Sequence, residues 1–115
     1  MMTENAKYTY IDTHAHVYDE AFSGEEDEIV KKSREAGVRL IIQPDIDLKE
    51  RGKMFDLYRR HPDFFRNMVG LYPGSVDEDW EKDVADAESH ARDAGVVAIG
   101  EIGLDYHYSK DTAEL

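Results

Sequence analysis

Four short apolar runs punctuate the chain, at 8–12 (YTYID), 38–42 (VRLII), 66–71 (RNMVGL) and 96–100 (VVAIG), with a period near 30 residues. They are rich in Val, Ile and Tyr, which suit a pleated surface. None alternates cleanly between polar and apolar positions, so the pattern predicts strands of a sheet covered on at least one face. Between them the periodicity becomes helical. A helix is predicted over 25–36, opened by an S-x-x-E capping box (Ser23, Glu26), with acidic residues at the positive end of its dipole and Gly37 closing it. A second is predicted over 48–60, with Leu48, Phe55 and Tyr58 on one face, Arg59 and Arg60 in the last turn and Pro62 beyond. A third is predicted over 77–94, with Ser75 and Glu78 as a second capping box. Trp80, Val84, Ala87, Ala91 and Ala94 form its apolar stripe, and Gly95 follows.

Two helix exits repeat one another. REAGVRLI (34–41) and RDAGVVAI (92–99) share the pattern R-acid-A-G-V-x-x-I, as equivalent joints of repeated βα units would. The order β-α-β-α-β-α-β implies a parallel sheet with right-handed crossovers. Eight such units would need about 240 residues, close to a (β/α)8 barrel. The expected fold class is therefore α/β, the first half of a TIM-type (β/α)8 barrel; a four-stranded open α/β domain is the alternative. No G-x-G-x-x-G or Walker loop follows any strand, so nucleotide binding finds no support.

Composition narrows the chemistry. The 115 residues make at most one domain, and 41% hydrophobic with 35% charged residues reads as globular. A formal net charge of −12 argues against a broad nucleic-acid-binding surface; such contact must be local, with a metal supplying positive charge. There is no cysteine, which excludes disulfides and leaves only nitrogen and oxygen as metal ligands. No apolar run approaches the roughly 20 residues of a membrane span. The opening MMTENAK lacks an apolar signal region. A cytoplasmic location without a membrane partner is expected.

In parallel α/β folds reactive groups gather past the C-terminal ends of strands. After strand 1 comes D-T-H-A-H. Residues two apart on an extended segment point the same way, so His14 and His16 can aim at one point, with Asp12 on the same face to orient a ligand. Such a pair is either two ordinary loop histidines or two metal ligands. After strand 2, Gln43-Pro44-Asp45 reads as a turn with Asp45 bonding locally. After strand 3, Tyr72 in Gly70-Leu71-Tyr72-Pro73-Gly74 either touches a ligand or packs. After strand 4, GEIGLDYHY places Glu101 at the end of an apolar strand, where a carboxylate is costly unless it is paired or bound to metal. Asp105 is read as bonding the loop, and His107 and Tyr108 as surface residues. His61 and His90 are read as exposed.

Taken together, IDTHAH after strand 1, the G-x-x-P turn after strand 3 and above all AIGEIGLDY after strand 4 resemble the TatD family of metal-dependent deoxyribonucleases. The resemblance covers essentially the whole chain and the N-terminal half of a family member. Residues 1–115 are read as a single N-terminal (β/α)4-like portion of a truncated barrel. The resemblance implies two divalent metal ions in the complete enzyme (Zn, Mg or Mn) and hydrolysis of DNA or another phosphodiester. It implies His14, His16 and Glu101 as metal ligands, with Asp12, Tyr72 and Asp105 supporting them or lining the pocket. The family's further ligands are two histidines and an aspartate from later strands. That aspartate is the catalytic carboxylate, so no catalytic residue is assigned within this chain. Tyr72 stands where the family usually carries His, which leaves a phosphate contact there open. Two other readings remain. One is a non-catalytic fragment or oligomerising binding module, self-associating through exposed half-barrel edges. The other is amide or lactone hydrolysis of the amidohydrolase kind. For these 115 residues alone the expectation is an incomplete site, weak metal affinity and little catalysis.

Overall fold

A computed structural model describes residues 8–106. It runs β1 (Tyr10–Asp12), α1 (Glu26–Glu35), β2 (Val38–Gln43), α2 (Leu48–Arg60), β3 (Phe65–Val69), α3 (Trp80–His90) and β4 (Val96–Ile99). Short 3-10 turns lie at Glu20–Phe22 and Pro73–Ser75. The strands form one parallel sheet in the order β1-β2-β3-β4. This is the predicted α/β architecture. His107 and Tyr108 lie outside the described residues.

The predicted elements recur with trimmed ends. α2 matches its predicted span, since Asp47 caps it by accepting the Glu50 N–H and Arg59 and Arg60 close it. α1 and α3 start later than their capping boxes require. Neither helix has a side-chain N-cap bond, and α3 opens at Trp80 because Ser75 belongs to the preceding 3-10 turn. The Glu26 carboxylate accepts the Gly24 N–H, and Asp77 accepts the Asp79 N–H. Both S-x-x-E expectations are thus corrected: the acidic residues satisfy turn amides just ahead of each helix. Both joint glycines take the left-handed region that suits glycine, with φ of 98° at Gly37 and 85° at Gly95. Gly37 follows the Ala36 C-cap of α1 as expected, but α3 already ends at His90 with Ala91 as its C-cap, so Gly95 turns the chain into β4 and does not close the helix.

The core lies between one face of the sheet and the helices. Ile41, Phe65 and Val69 from the strands are buried with Val30, Met54, Leu57 and Phe64. Two of the buried strand positions are polar. Gln43 and Asn67 are paired in register on β2 and β3, and the Gln43 amide donates to Asn67 Oδ1 at 3.1 Å. The outermost strands keep apolar side chains in solvent: Tyr10 and Ile11 on β1, Val97 and Ile99 on β4. The α3 stripe is covered at Ala87 but open at Val84. No helix among the described residues is long and apolar enough to cross a membrane.

Candidate metal centre

Two strands lie between β1 and β4, which are therefore three spacings apart, about 14 Å on a flat sheet. Side chains at their exits nonetheless meet. His16 Nε2 lies 3.0 Å from Glu101 Oε2, and His14 Nε2 lies 3.7 Å from the same oxygen. The two imidazoles stand edge to face with centroids 5.1 Å apart. The sheet therefore curls strongly, as the wall of a barrel does, and brings its first and last exits to one point. One ligand-type atom from each of His14, His16 and Glu101 lies within 4.8 Å of the other two.

The convergence is built by the exits of β2 and β3, which pass beneath it. The Asp45 N–H donates to Gly100 O at 3.1 Å, and the Glu101 N–H donates to Asp45 O at 3.0 Å. The exit of β4 is thus stitched to that of β2 across β3. Gly70, at the β3 exit, allows this crossing, because a Cβ there would lie 2.6 Å from Glu101 O. Gly70 also donates its N–H to Asp45 Oδ2 at 3.0 Å.

Asp45 corrects the sequence reading most sharply. It is no local turn residue but is fully buried, and its carboxylate accepts from Arg51 Nε at 2.6 Å. Arg51, 2% exposed, also donates to Asp83 and Asp86 of α3, each at 2.7 Å, and to Gly70 O. Burial outweighs these donors and pushes the Asp45 carboxyl up to about 6. The carboxylates around it hold Arg51 firmly charged. Sequence offered no direct signal for this cluster, since Arg51 lies 32 and 35 residues from Asp83 and Asp86.

The other sequence-derived candidates divide. Asp12 is exposed and accepts the backbone N–H of His14 at 3.0 Å, so it fixes the turn carrying the first histidine and not an imidazole ring. Tyr72 is half-buried at the β3 exit, with its ring against Gly74, where a side chain would collide with it. Asp105 is buried. His61 and His90 are half-buried rather than exposed: His61 pairs with Asp27 at 2.7 Å, and His90 with Asp93 at 2.6 Å while packing on Phe55. Tyr18, which the sequence reading passed over, is buried behind the centre. Its hydroxyl lies 2.5 Å from Pro44 O and 3.1 Å from His16 Nδ1. Burial foremost, with Asp45 and Glu101 nearby, holds that phenol protonated well above its ordinary range.

Chemically, two imidazole nitrogens and a carboxylate oxygen, half-exposed and converging, form a donor set that suits a divalent ion. Fold and donor set define a class: parallel βα proteins with an H-x-H pair and a carboxylate at the C-terminal mouth of the sheet. The comparisons give the family. Residues 11–114 match the family model described as TatD related DNase, and the chain belongs to the TatD family. It is 34% identical over 85 residues to the 3'-5' ssDNA/RNA exonuclease TatD of Edwardsiella piscicida, covering 74% of this chain and 33% of that protein. It is 28% identical to the metal-dependent hydrolase YabD of Bacillus subtilis, over 90% of this chain and 40% of that one. The crystal structure of the TatD homologue YjjV from Escherichia coli superposes with a TM-score of 0.75 at 32% identity, covering 91% of this chain and 41% of that chain. A TatD family hydrolase structure from Entamoeba histolytica matches in fold, with a TM-score of 0.73 at 24% identity. The chain thus spans about a third to two fifths of the length of these relatives, and what it matches in the solved structures is part of their barrel.

Proposed function

We propose that the chain carries part of the active centre of a metal-dependent hydrolase that cleaves phosphodiester bonds in nucleic acid. The observation that carries this reading is the convergence of His14, His16 and Glu101 from opposite ends of a four-stranded sheet. In this reading the three side chains are metal ligands. A divalent ion bound there supplies a Lewis acid for a phosphoryl oxygen and acidifies a water toward neutral pH. The two neutral imidazoles and one carboxylate leave net positive charge at the site, the local attraction for phosphate that a chain of net charge −12 otherwise lacks. Three protein donors also leave further coordination positions to water, substrate or additional ligands. The names of relatives such as the Edwardsiella exonuclease favour single-stranded DNA or RNA as substrate. The second metal implied by the resemblance belongs to this proposal, with Glu101 as the bridging candidate. The test is calorimetric titration with Zn²⁺, read beside a metal-stimulated nuclease assay on single-stranded DNA. Loss of Zn²⁺ binding in both His14→Ala and Glu101→Ala is expected, with loss of whatever cleavage the unsubstituted protein shows; undiminished binding in both overturns the assignment.

A further inference from the structure

Behind His16 stands a side chain that neither the motif nor the donor set accounts for. A tyrosine hydroxyl has one proton to give, whereas a carbonyl oxygen can only accept. The Tyr18 hydroxyl lies 2.5 Å from Pro44 O, so its proton is engaged there. The same oxygen lies 3.1 Å from His16 Nδ1, and that contact is a hydrogen bond only if Nδ1 carries the hydrogen. Tyr18 is 3% exposed, which keeps water from replacing either partner. Its ring meets the imidazole edge to face at 5.7 Å, which adds a packing constraint to the polar one. The His14 ring has its aromatic contact with His16 and its polar contact with Glu101, both within the cluster itself.

We propose that Tyr18 is a positioning residue, whose hydroxyl oxygen accepts the His16 Nδ1–H and so fixes the ring with Nε2 directed at Glu101 and at a metal ion. Only the role toward the metal rests on the function proposed above; the Nδ1–H contact requires no metal. The arrangement belongs to a general type, in which a ligating imidazole donates its second N–H to a fixed acceptor. Here the acceptor is itself anchored to the β2 exit, 26 residues away, so the ring plane is keyed to the strand that also carries Glu101's backbone partner.

The experiment is nitrogen-15 NMR of the metal-free protein at about pH 8.5, well above the ordinary imidazole pKa of about 6.5. It is joined by calorimetric titration with Zn²⁺. The wild type is expected to show His16 protonated at Nδ1. Tyr18→Phe keeps the buried ring, loses the hydroxyl and should lower the Nδ1–H population of His16. Its Zn²⁺ dissociation constant should rise roughly 10–100-fold. A wild-type His16 without a proton at Nδ1 overturns the proposal, as does a Tyr18→Phe variant with unchanged Nδ1 protonation and affinity. If that variant does not fold, the wild-type spectrum alone decides the Nδ1 protonation. If that protonation is as expected and the wild type binds no Zn²⁺, the metal-centre reading fails while the role of Tyr18 in orienting His16 stands.

Discussion

Two clusters of charged side chains sit within a few residues of one another at the strand exits, and they are built on opposite principles. In the Arg51 cluster, three carboxylates surround a guanidinium supplied by the chain itself, and the cation and the carboxylate nearest it are both buried. In the His14–His16–Glu101 cluster, the donors converge half-exposed, and no Lys or Arg of the described residues pairs with Glu101. A buried charge is tolerated when its counter-ion is part of the fold. In the function proposed above, a divalent ion is the counter-charge of the second cluster. The contrast separates what the strand exits do for stability from what they do for chemistry.

The largest expected effect tests the closed cluster. Arg51→Met should destabilise the fold by about 3–5 kcal/mol, because it leaves the buried Asp45 carboxylate and its neighbour Asp83 without their counter-ion. Urea denaturation measures this, and a loss below about 1 kcal/mol would place the cluster among decorative surface pairs. The open cluster should behave in the reverse way. Glu101→Gln should leave the chelator-treated protein folded as before, yet abolish stabilisation by added Zn²⁺. For the wild type that stabilisation is about 2.7 kcal/mol when free metal stands at 100 times the dissociation constant. Within the pair of histidines, His16→Ala should weaken Zn²⁺ binding more than His14→Ala. His16 is the less exposed (26% against 59%), lies nearer Glu101 and is held from behind. Equal losses in calorimetry would remove that ranking. The smallest effect comes from outside both clusters. His61 beside Asp27 holds that carboxyl below its ordinary pKa. Its contribution to stability is therefore present above the unfolded value near 3.8 and lost as pH falls through the lowered one. Asp27→Asn should lower stability slightly at neutral pH, and the difference from the wild type should vanish as pH falls through the lowered value, as melts at a series of pH values would show.

Much of the fold was legible because it depends on local signals. Strand residues recur at a fixed period, α2 carries a capping aspartate and a basic last turn, and two Ala-Gly-Val joints mark equivalent helix exits. The candidate ligands were legible because residues two apart on a strand exit share a direction, and because a carboxylate ending an apolar strand needs a partner. Whatever arises from the curl of the sheet was not legible. Asp45 read as a turn residue because its partners, Arg51, Gly70 and the Gly100–Glu101 segment, reach it only once the β2 and β4 exits meet. Tyr18 went unnoticed for the same reason, since its second partner is the Pro44 carbonyl. The two capping boxes misled because a four-residue pattern does not reveal where a preceding 3-10 turn ends.

The crossing at Gly70 has a consequence for how occupancy of the site would be felt. Asp45 belongs to both clusters, by its side chain to Arg51 and by its main chain to Gly100 and Glu101. The amide protons of Asp45, Gly70 and Glu101 all end on this one knot. They should therefore open together and exchange with solvent as a single unit. A ligand that grips the Glu101 carboxylate must slow all three at once, including one on a strand it never touches. Hydrogen exchange at Gly70, a residue with no side chain to contribute, thus becomes a gauge of whether the mouth of the sheet is filled.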